Sequence, residues 1–246
     1  MVARSQRRKI ELLITCEHAS NRVPTRYADL GLPRGTLETH IGWDPGARAV
    51  ARYCARRLDC RYHEGRYSRL LIDLNRSPHN PKLIPKESFG RRIPGNADLT
   101  SEERQLRLQR YYEPYREAVL RDIQLATMRG EVCAHVGVHS FTPRVGRRMR
   151  RGDIGVLYDP ARSSERDLAL MLAEVLRKQG LHVRRNYPYR GTSDGLSTHC
   201  RRIFPPDAFL GIELEINQRL LGPRDSDRRL SKAIATAIET AVQAIA

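Results

Sequence analysis

Short apolar runs alternate with segments of helical period along this 246-residue chain. Six runs, at residues 10 to 15, 69 to 74, 132 to 138, 154 to 158, 181 to 183 and 210 to 216, are of strand length and rich in Val, Ile and Leu. Continuous apolar runs of that length are what strands buried on both faces require, and their alternation with helical segments predicts an α/β protein. The expected architecture is a single domain, with a largely parallel mixed sheet flanked by helices.

Helix signals fall between the runs. Asp44-Pro45 supplies a cap and a proline suited to a first helical position, ahead of apolar residues at 47, 50, 51, 54 and 58. Thr100 to Glu103 has capping-box spacing and opens a helix towards Met128, interrupted by Pro114. Ser163 or Ser164 caps a segment that stops at Gly180, and Leu230, Ile234, Ile238, Ala241 and Ile245 form the stripe of a last helix. Residues 77 to 96 contain four prolines and two glycines, so a long surface loop of functional interest is expected there.

Composition narrows the class. A hydrophobic content of 40% supports a real core. No run approaches the roughly 18 apolar residues of a membrane span, and the N-terminus lacks the apolar region of a signal peptide. A cytoplasmic protein with no membrane partner is expected, residues 1 to 9 forming a basic tail on a domain of 1 to 246. Five cysteines without a CxxC pair suggest reduced core residues.

Net charge is +16, from 44 basic and 28 acidic residues. Only 5 of the basic residues are lysines, and the arginines are spread from Arg4 to Arg229. The runs Arg7, Arg8, Lys9 and Arg147, Arg148, Arg150, Arg151 lack interleaved aromatic rings, so they read as solvated faces, and nucleic acid is not the expected partner.

In an open sheet, ligands bind beyond the carboxyl ends of strands. Four runs end in candidate chemistry: Glu17-His18, then Asp73 with Asn75-Arg76, then His139-Ser140, then Glu213 and Glu215. Two imidazoles and a carboxylate from separate elements suit a metal site. Glu213 and Glu215 share one face of a strand. They are either the wet face of an edge strand, partners of arginines, or a general base beside the metal, and the last reading is preferred. Arg69 and Arg76 could grip anions through their guanidinium forks or serve as salt-bridge partners of Asp73 or Glu64. His63, His79 and His182 read as surface residues. No nucleophile elbow, HExxH, P-loop or GxGxxG is present.

Six blocks occur in order along most of the chain: TCEHASNRVP at 15 to 24, GWDPGA at 42 to 47, YSRLLIDLNRSP at 67 to 78, VHSFTP at 138 to 143, DIGVLYD at 153 to 159 and IELEINQRLL at 212 to 221. Together they resemble the N-formylglutamate amidohydrolase family. The resemblance implies a fold similar to the zinc carboxypeptidases and hydrolysis of the linear amide of N-formyl-L-glutamate, a small anionic substrate, in histidine degradation. It also implies a divalent metal, with zinc the expected ion, held by His18 and His139. The family's fold places a glutamate three residues after the first histidine; here that position is Asn21, and Glu17 is the preferred third ligand. Glu215 resembles the general base, with Glu213 second, and Arg69 is expected at the oxyanion. Asn75 and Arg76 are expected on a substrate carboxylate, and Ser140, Arg190, Gly191 and His199 on the substrate side. The alternatives are a zinc amidase or carboxypeptidase-like hydrolase of another acyl amino acid or peptide, and a basic nucleic-acid-binding module without catalysis.

Overall fold

A computed structural model describes residues 9 to 222 and 228 to 246; residues 1 to 8 of the basic tail lie outside them. In chain order the elements are β1 (Ile10–Cys16), α1 (Ala47–Arg57), β2 (Arg61–Glu64), the hairpin β3 (Glu87–Ser88) and β4 (Arg91–Arg92), α2 (Ser101–Arg107), α3 (Glu113–Met128) and β5 (Val132–Phe141). A second hairpin follows, β6 (Arg144–Val145) and β7 (Arg148–Met149), then β8 (Ile154–Leu157), α4 (Ser163–Lys178), β9 (Val183–Arg185), α5 (Leu196–Ile203), β10 (Phe209–Asn217) and α6 (Arg228–Ile245).

Six strands form one mixed sheet in the order β2-β1-β5-β10-β8-β9. The first four are parallel, whereas β8 pairs antiparallel with β10. Side-chain alternation divides the core into two layers. Ile14, Val136, Val138, Ile212 and Leu214 pack on α1, α4 and α6, while Leu13, Cys133 and Phe209 pack on α3 and α5. Each fully buried Leu or Ile contributes about 1.5–3 kcal/mol to such layers. The anticipated stripe on α6 is present, with Leu230, Ile234, Ile238 and Ala241 buried. All five cysteines are free, and four of them are buried. Among the described residues no helix is long and apolar enough to cross a membrane.

The run 69 to 74 departs from expectation, because it is no strand. Leu70, Leu71, Ile72 and Leu74 are buried in a separate cluster with Leu30, Leu83, Ile93 and Tyr112. Its carbonyls are satisfied by side chains instead of a ladder: Asn96 Nδ2 donates to Leu70 O, Arg107 to Leu71 O and Arg116 to Leu74 O. Burial alone made the run apolar, and burial does not specify a strand. The strand at this sheet edge is instead β2, whose polar sequence RYHE carries no apolar signal. His63 belongs to it and bonds Asp122, while His79 and His182 are exposed as expected.

Several boundaries also moved. The strand expected at 181 to 183 is β9, two residues later. Helix α4 is capped by Arg162, whose side chain makes no capping bond, rather than by Ser163 or Ser164. The helix expected from 100 to 128 begins as anticipated, Thr100 accepting from Glu103 N, but passes through a π turn at Leu108–Tyr112 before α3, with Pro114 in its first turn. Helix α1 starts at Ala47 after Gly46, which holds a left-handed φ of 79°. A Cβ at Gly46 would lie 2.8 Å from Leu221 Cβ, so the loop before α1 is fixed against the chain that follows β10.

Candidate active site

Because α1 starts on Gly46, the carboxylate of Asp44 makes no capping bond. The loop is clipped to β1 by Asp44 N donating to His18 O at 3.0 Å. The Asp44 side chain turns inward between two histidines. His18 follows β1, and His139 stands near the end of β5. His18 Nδ1 lies 3.3 Å and His139 Nδ1 3.0 Å from Asp44 Oδ2, with the two rings 5.0 Å apart. All three side chains are buried, and one potential ligand atom from each falls within 4.8 Å of the others.

The opposite ring nitrogens are also held. His18 Nε2 is 2.7 Å from Asp73 Oδ1, and His139 Nε2 is 3.0 Å from Glu17 Oε2. Glu17 in turn accepts from Tyr115 OH at 2.9 Å. Each imidazole therefore presents Nδ1 to the centre and Nε2 to a carboxylate, which fixes ring orientation in the way histidine ligands of metals are usually fixed. Burial opposes ionisation of Asp44, but Arg69 and the two histidines outweigh it and hold its carboxyl well below the ordinary range. Burial likewise opposes a charged His139, yet its hydrogen bonds to Asp44 and Glu17 raise its pKa well above the usual value.

Glu215 has the reverse character. Burial, reinforced by Asp44 and Glu213 and opposed by His139 and Arg69, pushes its carboxyl up to about 8. It pairs in register with His139 across the β5–β10 ladder, and its Oε2 is buried without a hydrogen-bond partner. Since β10 lies inside the sheet, neither a wet edge nor an arginine partner accounts for Glu215. It faces a cavity of about 640 Å³ together with His18, Asp44, His139 and Glu213.

Most of the anticipated residues meet in that cavity: Arg69, Asn75, Arg76, Ser140 and Arg190 also line it. Arg69 donates to Asp44 Oδ1, leaving its own Nε buried and unpartnered. Arg76 donates to Asp194 O at 2.8 Å, and Asn75 Nδ2 lies 3.4 Å from His139 Nε2. The loop 77 to 96 contributes Lys82 and Phe89, the latter 51% exposed.

Three expectations fail on geometry. Glu17 is no neighbour of His18 and Asp44 in the ligand group; it sits behind His139, because successive side chains at a strand end point to opposite sides. His199 lies on α5, outside the cavity lining. Gly191 is a packing residue, since a Cβ there would lie 2.2 Å from Tyr158 N.

Two residues were not anticipated. Asp44 was hidden by its resemblance to a helix cap. Arg150 belongs to a run read as a solvated face, yet it lines the cavity. Its guanidinium stacks 5.7 Å from the Phe141 ring and 5.3 Å from the Tyr189 ring, and it has no acidic partner among the described residues. No local sequence signal distinguishes it from its neighbours.

Two imidazoles and one carboxylate are the donor set of a catalytic divalent-metal site with a position left open. The residues present therefore fit such an ion. The chain matches the family model for N-formylglutamate amidohydrolases over residues 10–221. It is similar to the crystal structure of a gene product from Agrobacterium tumefaciens, with 34% identity over 97% of this chain and 92% of the other and a TM-score of 0.86. It also shares its fold with an N-formylglutamate amidohydrolase from Ralstonia eutropha, with 22% identity over 96% and 94% of the two chains and a TM-score of 0.68. None of the curated proteins matches it.

Proposed function

The chain belongs to the N-formylglutamate amidohydrolase family, hydrolases of linear, non-peptide C–N bonds, and from that premise we propose that it hydrolyses N-formyl-L-glutamate to formate and glutamate with a divalent metal. A binding module without catalysis is set aside by the family. The observation that carries the reading is the buried, unpartnered Oε2 of Glu215 facing the same cavity as the His18–Asp44–His139 group.

His18, Asp44 and His139 would hold the ion, with zinc the expected species, and when bound it would polarise the formyl oxygen and bring a water's pKa to about 7. Glu215 takes a proton from the attacking water as the oxygen–carbon bond forms. It returns that proton to the amide nitrogen, and the C–N bond breaks to release formate and the amine of glutamate. A carboxyl with a buried, unpartnered oxygen in the cavity lining is placed for both halves of this transfer. Glu213, two residues away on the same face of β10, is the second candidate for base. The unpartnered Nε–H of Arg69 serves the developing oxyanion. Asn75, Arg76, Ser140 and Arg190 face the substrate, and Arg150 is the preset cation for its second carboxylate.

Glu215→Gln tests the assignment. Turnover of N-formylglutamate should be lost while metal content stays at the wild-type level. Retained turnover removes Glu215 as the base. A second reading, another N-acyl amino acid or a peptide, is favoured by the exposed rings of Phe89 and Tyr189 along a cavity roomier than the small dianion needs. Parallel assays with formylated and acetylated amino acids and short peptides separate the two.

A further inference from the structure

A second cavity, of about 650 Å³, lies behind the catalytic one. The segment 69 to 74 is the partition between them. Arg69, Leu70 and Asp73 face the catalytic cavity, whereas Ile72 and Leu74 face the second. Tyr115 completes the partition: it lines the second cavity, and its hydroxyl reaches Glu17, the carboxylate that orients His139.

The lining has a definite chemistry. Tyr67 and Tyr111 meet edge to face at 5.1 Å in a lining that also holds the apolar Ile72 and Leu74. Arg66 and Arg110 are exposed in this lining, and neither guanidinium makes an ion pair or hydrogen bond with any described residue. The one carboxylate of the lining, Glu64, is already taken by Arg48, Arg52 and Tyr62. Arg110 and Tyr111 both lie in the π turn, an irregularity that recurs at functional sites.

Uncommitted guanidinium forks match a carboxylate, and tyrosine walls match a planar ring. We propose that this cavity is a second ligand site, for a small aromatic carboxylate, whose occupancy is transmitted to His139 through Tyr115 and Glu17. Binding itself does not depend on the amidase reading; only the transmission rests on His139 serving the reaction.

Calorimetric titration of the full chain with benzoate tests the site, with cyclohexanecarboxylate and inorganic phosphate as the non-aromatic and non-planar comparisons. Benzoate should saturate one site and bind about tenfold more tightly than either, and Arg66→Ala/Arg110→Ala should weaken it by about tenfold, the scale of one charge-assisted contact. The same double variant should keep wild-type kcat/KM on N-formylglutamate. No saturable benzoate binding, equal binding of all three probes, or binding lost in Arg76→Ala instead of in the Arg66/Arg110 variant overturns the site. In wild type, saturating benzoate should shift zinc affinity measured by chelator competition, and Tyr115→Phe should abolish that shift while benzoate still binds. An unshifted zinc affinity overturns the transmission. Intact benzoate binding beside absent amidase activity would count against the amidase reading alone.

Discussion

Asp44 shows how one residue can carry a site while resembling a structural cap. Its carboxylate is shared among His18, His139 and Arg69. Asp44→Asn would leave the mostly buried Arg69 without its hydrogen-bonded counter-charge, and breaking such a pair costs about 3–5 kcal/mol. Urea denaturation should report a loss of that order, together with weaker retention of added zinc on dialysis than the parent shows; an unchanged midpoint and equal retention would contradict the hub assignment. Arg150 is the residue to test for specificity. Arg150→Leu should lower kcat/KM on N-formylglutamate by about ten- to a hundredfold, the scale of a hydrogen bond to a charged group, while sparing N-formyl-leucine. Equal losses on both substrates would mean that Arg150 shapes the cavity without reading the side-chain carboxylate. The meeting of His18, His139 and Glu215 in one cavity was legible because each lies at the end of an apolar run. Asp44 and Arg150 were not, because one satisfied a local capping rule and the other lay in an ordinary basic run.

The same contrast holds for elements. β1, β5 and β10 were legible because strands buried on both faces must be continuously apolar. The stretch 69 to 74 mimicked them, although its carbonyls are met by Asn96, Arg107 and Arg116. That substitution of side chains for a ladder depends on long-range contacts that no local window contains. Asn96 holds both Leu70 O and Pro85 O at 2.8 Å and is itself buried. Asn96→Ala should therefore destabilise the protein by about 1–3 kcal/mol through acceptors left unsatisfied. Thermal unfolding at wild-type temperature would refute the role given to these side chains. Helix α5 was overlooked because GLSTHCRRI is short and amphipathic, between loop-like residues on both sides.

At the scale of the whole molecule, the arginine excess does more than coat the surface. Burial opposes charging of Glu64, but hydrogen bonds from Arg52, Arg48 and Tyr62 prevail and hold its carboxyl at about 2. A carboxyl depressed in the folded state stabilises fully above its unfolded value of about 4.3, and that contribution disappears as pH falls towards 2. Stability should thus decline over this window, and Arg48→Ala/Arg52→Ala should flatten the decline; identical pH profiles for variant and parent would rule the pairing out. The divider between the two chambers has a different reach. Since Leu70 and Asp73 look one way and Ile72 and Leu74 the other, an insertion or deletion within this stretch would displace residues of both linings and disturb both rooms together. A replacement at Ile72 or Leu74 acts on the second room first, whereas a change of length reaches both.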